Sequence, residues 1–218
     1  MRLLIVTAVD AEARAIGAID GAHVIVAGVG RTNAAAATTE ALIQARHRGS
    51  SIAFDAVLSA GVAGALPQSE GSLQIGDCIV ASSCMYVEEG LITTSGFAGM
   101  DSLGFKLGDF DGNSVPVDES MLERLSGDFG IGPIATVATC SGTDAAATEV
   151  ARRTGALAEA MEGAAVVHAA RRLHVPAIEL RSISNTTGDR ARQQWDLALA
   201  LRSLSAAVQK AVSLLTGC

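Results

Sequence analysis

Two carboxylates, Glu159 and Glu162, stand among small apolar residues in ALAEAMEGAAVVHAA (156–170). Burying an ionised carboxylate without a partner costs roughly several kcal/mol. Glu162 therefore faces either solvent or a pocket in which a ligand becomes its partner. Another acid, Glu12, closely follows the apolar run RLLIVTA (2–8). Arg181 and Asn185 lie near the end of the apolar run VPAIELRSIS (175–184), four residues apart and so on one face of a strand. A carboxylate can take a proton in general-base work, a guanidinium can keep that carboxylate charged and oriented, and an amide offers both donors and an acceptor.

Each residue also has a plain structural reading. Glu12 and Glu162 stand at predicted helix starts, where an acid complements the helix dipole. Arg181 could pair with a buried acid, and Asn185 could cap a turn before TTGD. Finding all four at strand ends is harder to explain that way.

The elements that must position them follow from apolar periodicity. Strands are predicted over 2–8, 22–28, 56–62, 75–87, 131–140 and 175–184. Helices are predicted over 32–48, 144–155 with a glycine stop, Glu162 to about Leu173, and 194–215. Residues 88–117 are rich in Gly, Asp and Ser and read as a long loop with short strand pieces, of a length more often functional than idle. The alternation implies an α/β fold around a largely parallel sheet, with 1–218 as a single domain. Sites in such sheets gather at the carboxyl ends of strands. Glu12, GVAG (61–64), MEG (161–163) and RSISN (181–185) all fall there.

Composition narrows the class. A formal charge of −7 without a basic stripe argues against a nucleic-acid partner. The four cysteines form no CxxC pair, and no histidine stands near them at zinc-ligand spacing, so free thiols in the cytoplasm are expected and no metal. The first apolar run is too short to span a membrane. GVGRTN (28–33) follows a strand and opens a helix, but Asn33 stands where a dinucleotide fingerprint has its third glycine. A tight turn or a ligand-lining loop remains.

TAVDAEARAI, AGVGRTNAAAA, SAGVAGAL, IGDCIVAS, AMEGAAV and RSISN occur in the order found in the nucleoside phosphorylase/nucleosidase superfamily, which the chain resembles from Met1 to about residue 215. The resemblance is to its hydrolytic branch, which includes methylthioadenosine/S-adenosylhomocysteine nucleosidases. Within that branch it runs to the futalosine hydrolase family, through RSISN, ATCSGTDAAA and VEEGLITTSGFAGMDSLGF. It implies a three-layer α/β/α fold with a mixed, largely parallel sheet. It also implies hydrolysis of futalosine to dehypoxanthine futalosine and hypoxanthine in menaquinone biosynthesis. No cofactor is implied; a homodimer or higher homo-oligomer is. By this resemblance Glu12 activates water, Arg181 helps hold Glu12, and Asn185 contacts the base. Met161 lies beneath the ribose, Glu162 binds its hydroxyls, and Gly61, Val62, Ser141 and Gly142 line the pocket. Val62 replaces a serine of some members and Ala160 an acid common before the methionine; Asn185 replaces the aspartate of adenine-releasing enzymes. Residues 88–105 would reach the 5′ group, whose benzoate in futalosine calls for a cation such as Arg190 or Arg192. Alternatives are a methylthioadenosine nucleosidase, a phosphorylase with Arg31 on the anion, or a regulatory nucleotide-binding domain.

Overall fold

The computed structural model describes residues 1–47, 53–69 and 71–217. Its first part holds β1 (Leu3–Thr7), α1 (Asp10–Ile16), β2 (Ala22–Val26), α2 (Arg31–His47), β3 (Ala56–Ala65) and β4 (Cys78–Tyr86). Then come β5 (Gly90–Thr93), β6 (Gly96–Gly99), α3 (Met100–Leu103), β7 (Ser114–Pro116), α4 (Glu119–Leu125) and β8 (Gly130–Thr136). The last part is α5 (Asp144–Thr154), β9 (Ala158–Ala160), α6 (Gly163–Arg172), β10 (Ala177–Thr186) and α7 (Leu197–Thr216). The predicted end of the second helix at Arg48 lies outside the described residues, as does Cys218; Cys78, Cys84 and Cys140 are free thiols.

The central strands read as unbroken apolar runs because both faces are covered. Every residue of β1 is buried, and so is all of β10 except its last. β1 runs parallel to β2 and β3, β3 to β10, and β8 to β4 and β9. β10 with β4, β3 with β9, and β4 with β7 are antiparallel, so the sheet is mixed and largely parallel. One feature goes beyond the expectation. β10 pairs with both β3 and β4 while β9 bridges β8 to β3, so these five strands close into a ring. β9 has only three residues, too few for alternation to mark it, and the sequence reading passes over it.

Two helical groups cover the sheet. α2 packs on α6, and α6 on β3, β8 and β10; α1 and α4 pack on α7, and α7 on β3 and β10. α7 is long and apolar enough to cross a membrane. Its buried Ala200, Leu204, Ala207, Val208, Ala211, Val212 and Leu215 recur every three or four residues, the stripe of a core helix. The predicted long loop is a β5–β6 hairpin, α3 and β7. The Asn113 amide holds it together: Nδ2 donates to Tyr86 O at 3.0 Å and Glu89 O at 2.7 Å, and Oδ1 accepts from Met100 N at 2.9 Å.

Candidate active site

Glu12 is placed by the turn from β1 into α1. Val9 is the extended N-cap, and Glu12, three positions on, reaches back to it. Glu12 Oε2 accepts from Ala8 N at 2.9 Å and Val9 N at 3.2 Å. Oε1 crosses to β3 and accepts from Val62 N at 2.8 Å. One oxygen thus caps a helix and the other faces β3.

Gly61 shows what converges there. A β-carbon at this position would lie 2.5 Å from Arg181 Nη1 and 2.6 Å from Glu12 Oε1. Real side chains do not approach so closely, so the glycine is the space that admits acid and cation side by side. Arg181, 1% exposed, donates from Nε to Glu179 Oε1 at 2.8 Å. Its remaining contacts are longer, each 3.4 Å: Nη1 to Val62 O and to Glu162 Oε2, and Nη2 to Ser59 Oγ. Burial alone would pull this guanidinium's pKa down, but the carboxylates of Glu179, Glu162 and Glu12 together hold it above the ordinary arginine value. Arg181 forms no ion pair with Glu12 among the described residues and acts on it through charge at longer range. Among the described residues Glu12 is fastened by three backbone amides, and the ion pairs of Arg181 go to Glu179 and Glu162.

Glu162 is the N-cap residue of α6 and is buried. Its Oε1 accepts from Gly30 N at 3.0 Å. Gly30 has φ 92°, a left-handed backbone that suits glycine and turns its N–H toward the acid. The GVGRTN loop thus lines the site, and Glu162 keeps acceptor capacity beyond its two protein partners.

Asn185 stands apart from these three. A β-bulge between Ile183 and Asn185 adds a residue to β10, so Arg181 lies opposite Gly61 but Asn185 opposite Gly64. Three residues separate those partners, and the two side chains do not share a face as four-residue spacing predicts. Asn185 lines a cavity of about 360 Å³ with Ser141, Gly142, Glu159, Arg190 and Trp195. Its Oδ1 accepts from Ser184 Oγ at 2.8 Å and its Nδ2 donates to Thr186 O at 2.9 Å, which leaves one N–H free. Glu159 accepts from Ser141 N at 2.7 Å and Ser141 Oγ at 2.6 Å. Burial raises its pKa, and those two bonds oppose the rise.

The family model of the Phosphorylase superfamily matches residues 11–218. The chain belongs to the phosphorylase superfamily. Among curated relatives, a futalosine hydrolase of Acidothermus cellulolyticus is 37% identical over 94% of this chain and 87% of its own length. A futalosine hydrolase of Streptomyces coelicolor is 36% identical over 96% and 94%. Among solved structures, a putative 5′-methylthioadenosine/S-adenosylhomocysteine nucleosidase from Borrelia burgdorferi, bound to adenine, superposes with TM-score 0.77. It is 21% identical over 97% of this chain and 99% of that one. At that identity the likeness is one of fold.

The other residues singled out in the sequence are placed as follows. Met161 is half-buried against a cluster that includes Val87 and Val137. Val62, also half-buried, serves through its backbone, which holds both Glu12 and Arg181. Arg31 is not free for an anion: its Nη1 lies 2.5 Å from Glu89 and 3.3 Å from Glu88. Arg192 is paired with Asp144 and Asp189, whereas Arg190 stacks on Trp195 in the Asn185 cavity. Two buried acids, Glu179 and Glu159, have no role in the sequence analysis, and Glu179 is not singled out there at all. Glu179 stands two residues before Arg181, hence on its face, and that spacing in IELR was the available signal. Glu159, one position before Ala160, was noticed but given no task.

Proposed function

We propose that this chain hydrolyses the N-glycosidic bond of futalosine, releasing hypoxanthine. The observation that carries the reading is the convergence of Glu12 and Glu162 on Arg181 Nη1, with Glu12 brought near it over Gly61. The relatives named futalosine hydrolase supply the substrate. Cleavage passes through an oxocarbenium-like state, positive on the sugar and negative on the base. Glu12 Oε1, with capacity left beside its Val62 bond, takes a proton from the attacking water. Glu162 accepts from the two ribose hydroxyls and favours the positive sugar; Met161, next to it, lies against the ribose. The cavity with Asn185, Ser141 and Gly142 takes the base. These interactions strengthen as charge develops, which is what raises the rate.

Water is favoured over phosphate as nucleophile by charge. Three carboxylates surround one guanidinium, and Arg31 is engaged by Glu88 and Glu89. Unit charges of like sign about 6 Å apart repel by roughly 3 kcal/mol at an effective dielectric of 20. The hairpin joins the GVGRTN loop through those same two acids, beside the Gly30 amide that holds Glu162. This supports a role for residues 88–105 at the 5′ group. Leu91 and Ile92 near the hairpin tip are exposed, 51% and 86%, which favours burial in a homodimer or higher homo-oligomer. Free thiols suit a cytoplasmic enzyme.

The test is base release from futalosine, aminofutalosine, methylthioadenosine and inosine, with and without phosphate. Phosphate-independent release of hypoxanthine from futalosine is expected. Phosphate dependence, or release from none of them, rejects the reading.

A second expected outcome concerns Glu162. Glu162→Gln lowers kcat/KM on a riboside by about 10–100-fold, the worth of one charge-assisted hydrogen bond. On the 2′-deoxyriboside, which lacks one of the partners, the loss is several-fold smaller. Disturbance of the Gly30 and Arg181 contacts affects both sugars alike and cancels in the ratio. Equal losses would leave Glu162 a purely structural cap.

A further inference from the structure

Glu179 is wholly buried, and the chemistry above gives it no step. Neutralising Arg181 does not explain it, since Glu162 and Glu12 already supply more negative charge than one guanidinium needs. Its Oε2 accepts no hydrogen bond among the described residues, and a buried oxygen left so calls for a reason. The neighbouring Cys84 offers no counter-charge, only a weak thiol donor: burial first, and then the charge of this carboxylate and a hydrogen bond to it, push its pKa well up. A β-carbon on Gly163 would lie well inside contact distance of the Glu179 carboxyl, so the glycine of MEG is the slot that admits it. That slot lies at the first residue of α6, a ten-residue helix whose dipole favours negative charge there.

What Glu179 alone supplies is direction. Its bond to Arg181 Nε, at 2.8 Å, is shorter than any Nη contact, all of which are 3.4 Å. A guanidinium pinned at Nε cannot swing about its last torsion, and Nη1 stays over Gly61 beside Glu12. Arginine and carboxylate otherwise prefer two parallel bonds. Unpinned, Arg181 would turn onto Glu162 and occupy the lone pairs needed for the ribose hydroxyls. We propose that Glu179 is a positioning residue that keeps the single long contact of Arg181 with Glu162 from closing into a two-nitrogen pair. The inference rests on Glu162 being the sugar-binding acid.

The experiment compares Glu179→Ala and Glu179→Gln by crystal structure and by kcat/KM on a riboside and its 2′-deoxy analogue. Glu179→Ala is expected to show Arg181 paired through two nitrogens to Glu162. It should lose about 100-fold on the riboside, the scale of a 1 Å misplacement, and most of its preference for the 2′-hydroxyl. Glu179→Gln retains an acceptor for Nε and should recover at least a tenth of wild-type kcat/KM. If Glu179→Ala does not fold, Gly163→Ala, whose new methyl displaces the Glu179 carboxylate, carries the same expectations. An unmoved guanidinium or an unchanged sugar preference overturns the proposal. Should the wild type release no base at all, the hydrolase reading falls, while the position of Arg181 in the variant crystals still decides the role of Glu179.

Discussion

Glu12→Gln is expected to lower kcat by about 10²–10⁴-fold while KM stays within about tenfold. The asymmetry follows from where Glu12 acts. Its task is to take a proton from water, which is needed only as the bond to the sugar forms, so ground-state binding loses little. The substitution is nearly isosteric but not silent to the fold. The Gln oxygen can replace Oε2 and accept from Ala8 N and Val9 N. Its amino group must then stand where Oε1 accepted from Val62 N, donor against donor. That mismatch costs roughly 1–3 kcal/mol of stability. Melting temperature and the fraction of sites that bind product therefore have to be measured with the rates, and kcat quoted per competent site. If more than about a tenth of wild-type kcat survives on that basis, Glu12 does not activate water.

The parts of this molecule that were legible in its sequence are those with a local physical signature. β1, β3 and β10 are buried on both faces and read as apolar runs; α5 ends where Gly155 adopts φ 64°. Glu12, Glu162 and Arg181 stood out because charge in an apolar run needs a partner. Those partners were not legible. Glu12 is held by backbone amides, which carry no residue signature, and one of them comes from fifty residues away on β3. Glu179 obeys the same charge rule as Arg181, yet a charged residue beside an opposite charge does not stand out, and only Gly163 shows how closely the acid is packed. The closing of the ring depends on β9, three residues between two loops. The bulge at Ser184 interrupts RSISN without a glycine or proline to announce it, and so Asn185 was assigned the wrong face.

That bulge sharpens what Asn185 can do. One of its two N–H groups is committed to Thr186 O and its oxygen to Ser184 Oγ, leaving a single N–H for the cavity. Hypoxanthine presents two acceptors on one edge, N7 and O6, and one donor serves N7 without any change of protonation. Donation to N7 withdraws electrons from the breaking bond, so the contact gives rate as well as selectivity. Asn185→Asp would remove both donors. The oxygen that replaces Nδ2 would face both Thr186 O and the N7 and O6 acceptors of the base, the other would keep the Ser184 bond, and Glu159 already supplies one carboxylate to the same cavity. A 6-amino purine fares better, because its amino group donates to the new carboxylate. Sites built on hydrogen bonds can discriminate by about 10⁴–10⁵ when a mismatch leaves polar groups unpaired. Asn185→Asp is therefore expected to lower kcat/KM on futalosine by at least about 100-fold and to narrow or invert its preference over the 6-amino analogue. The competing view is that the amide only ties Ser184 to Thr186 across the bulge. In that case the variant melts at a lower temperature and both substrates lose activity in equal proportion. The ratio of the two kcat/KM values separates the views, and an unchanged ratio would assign Asn185 to the backbone alone.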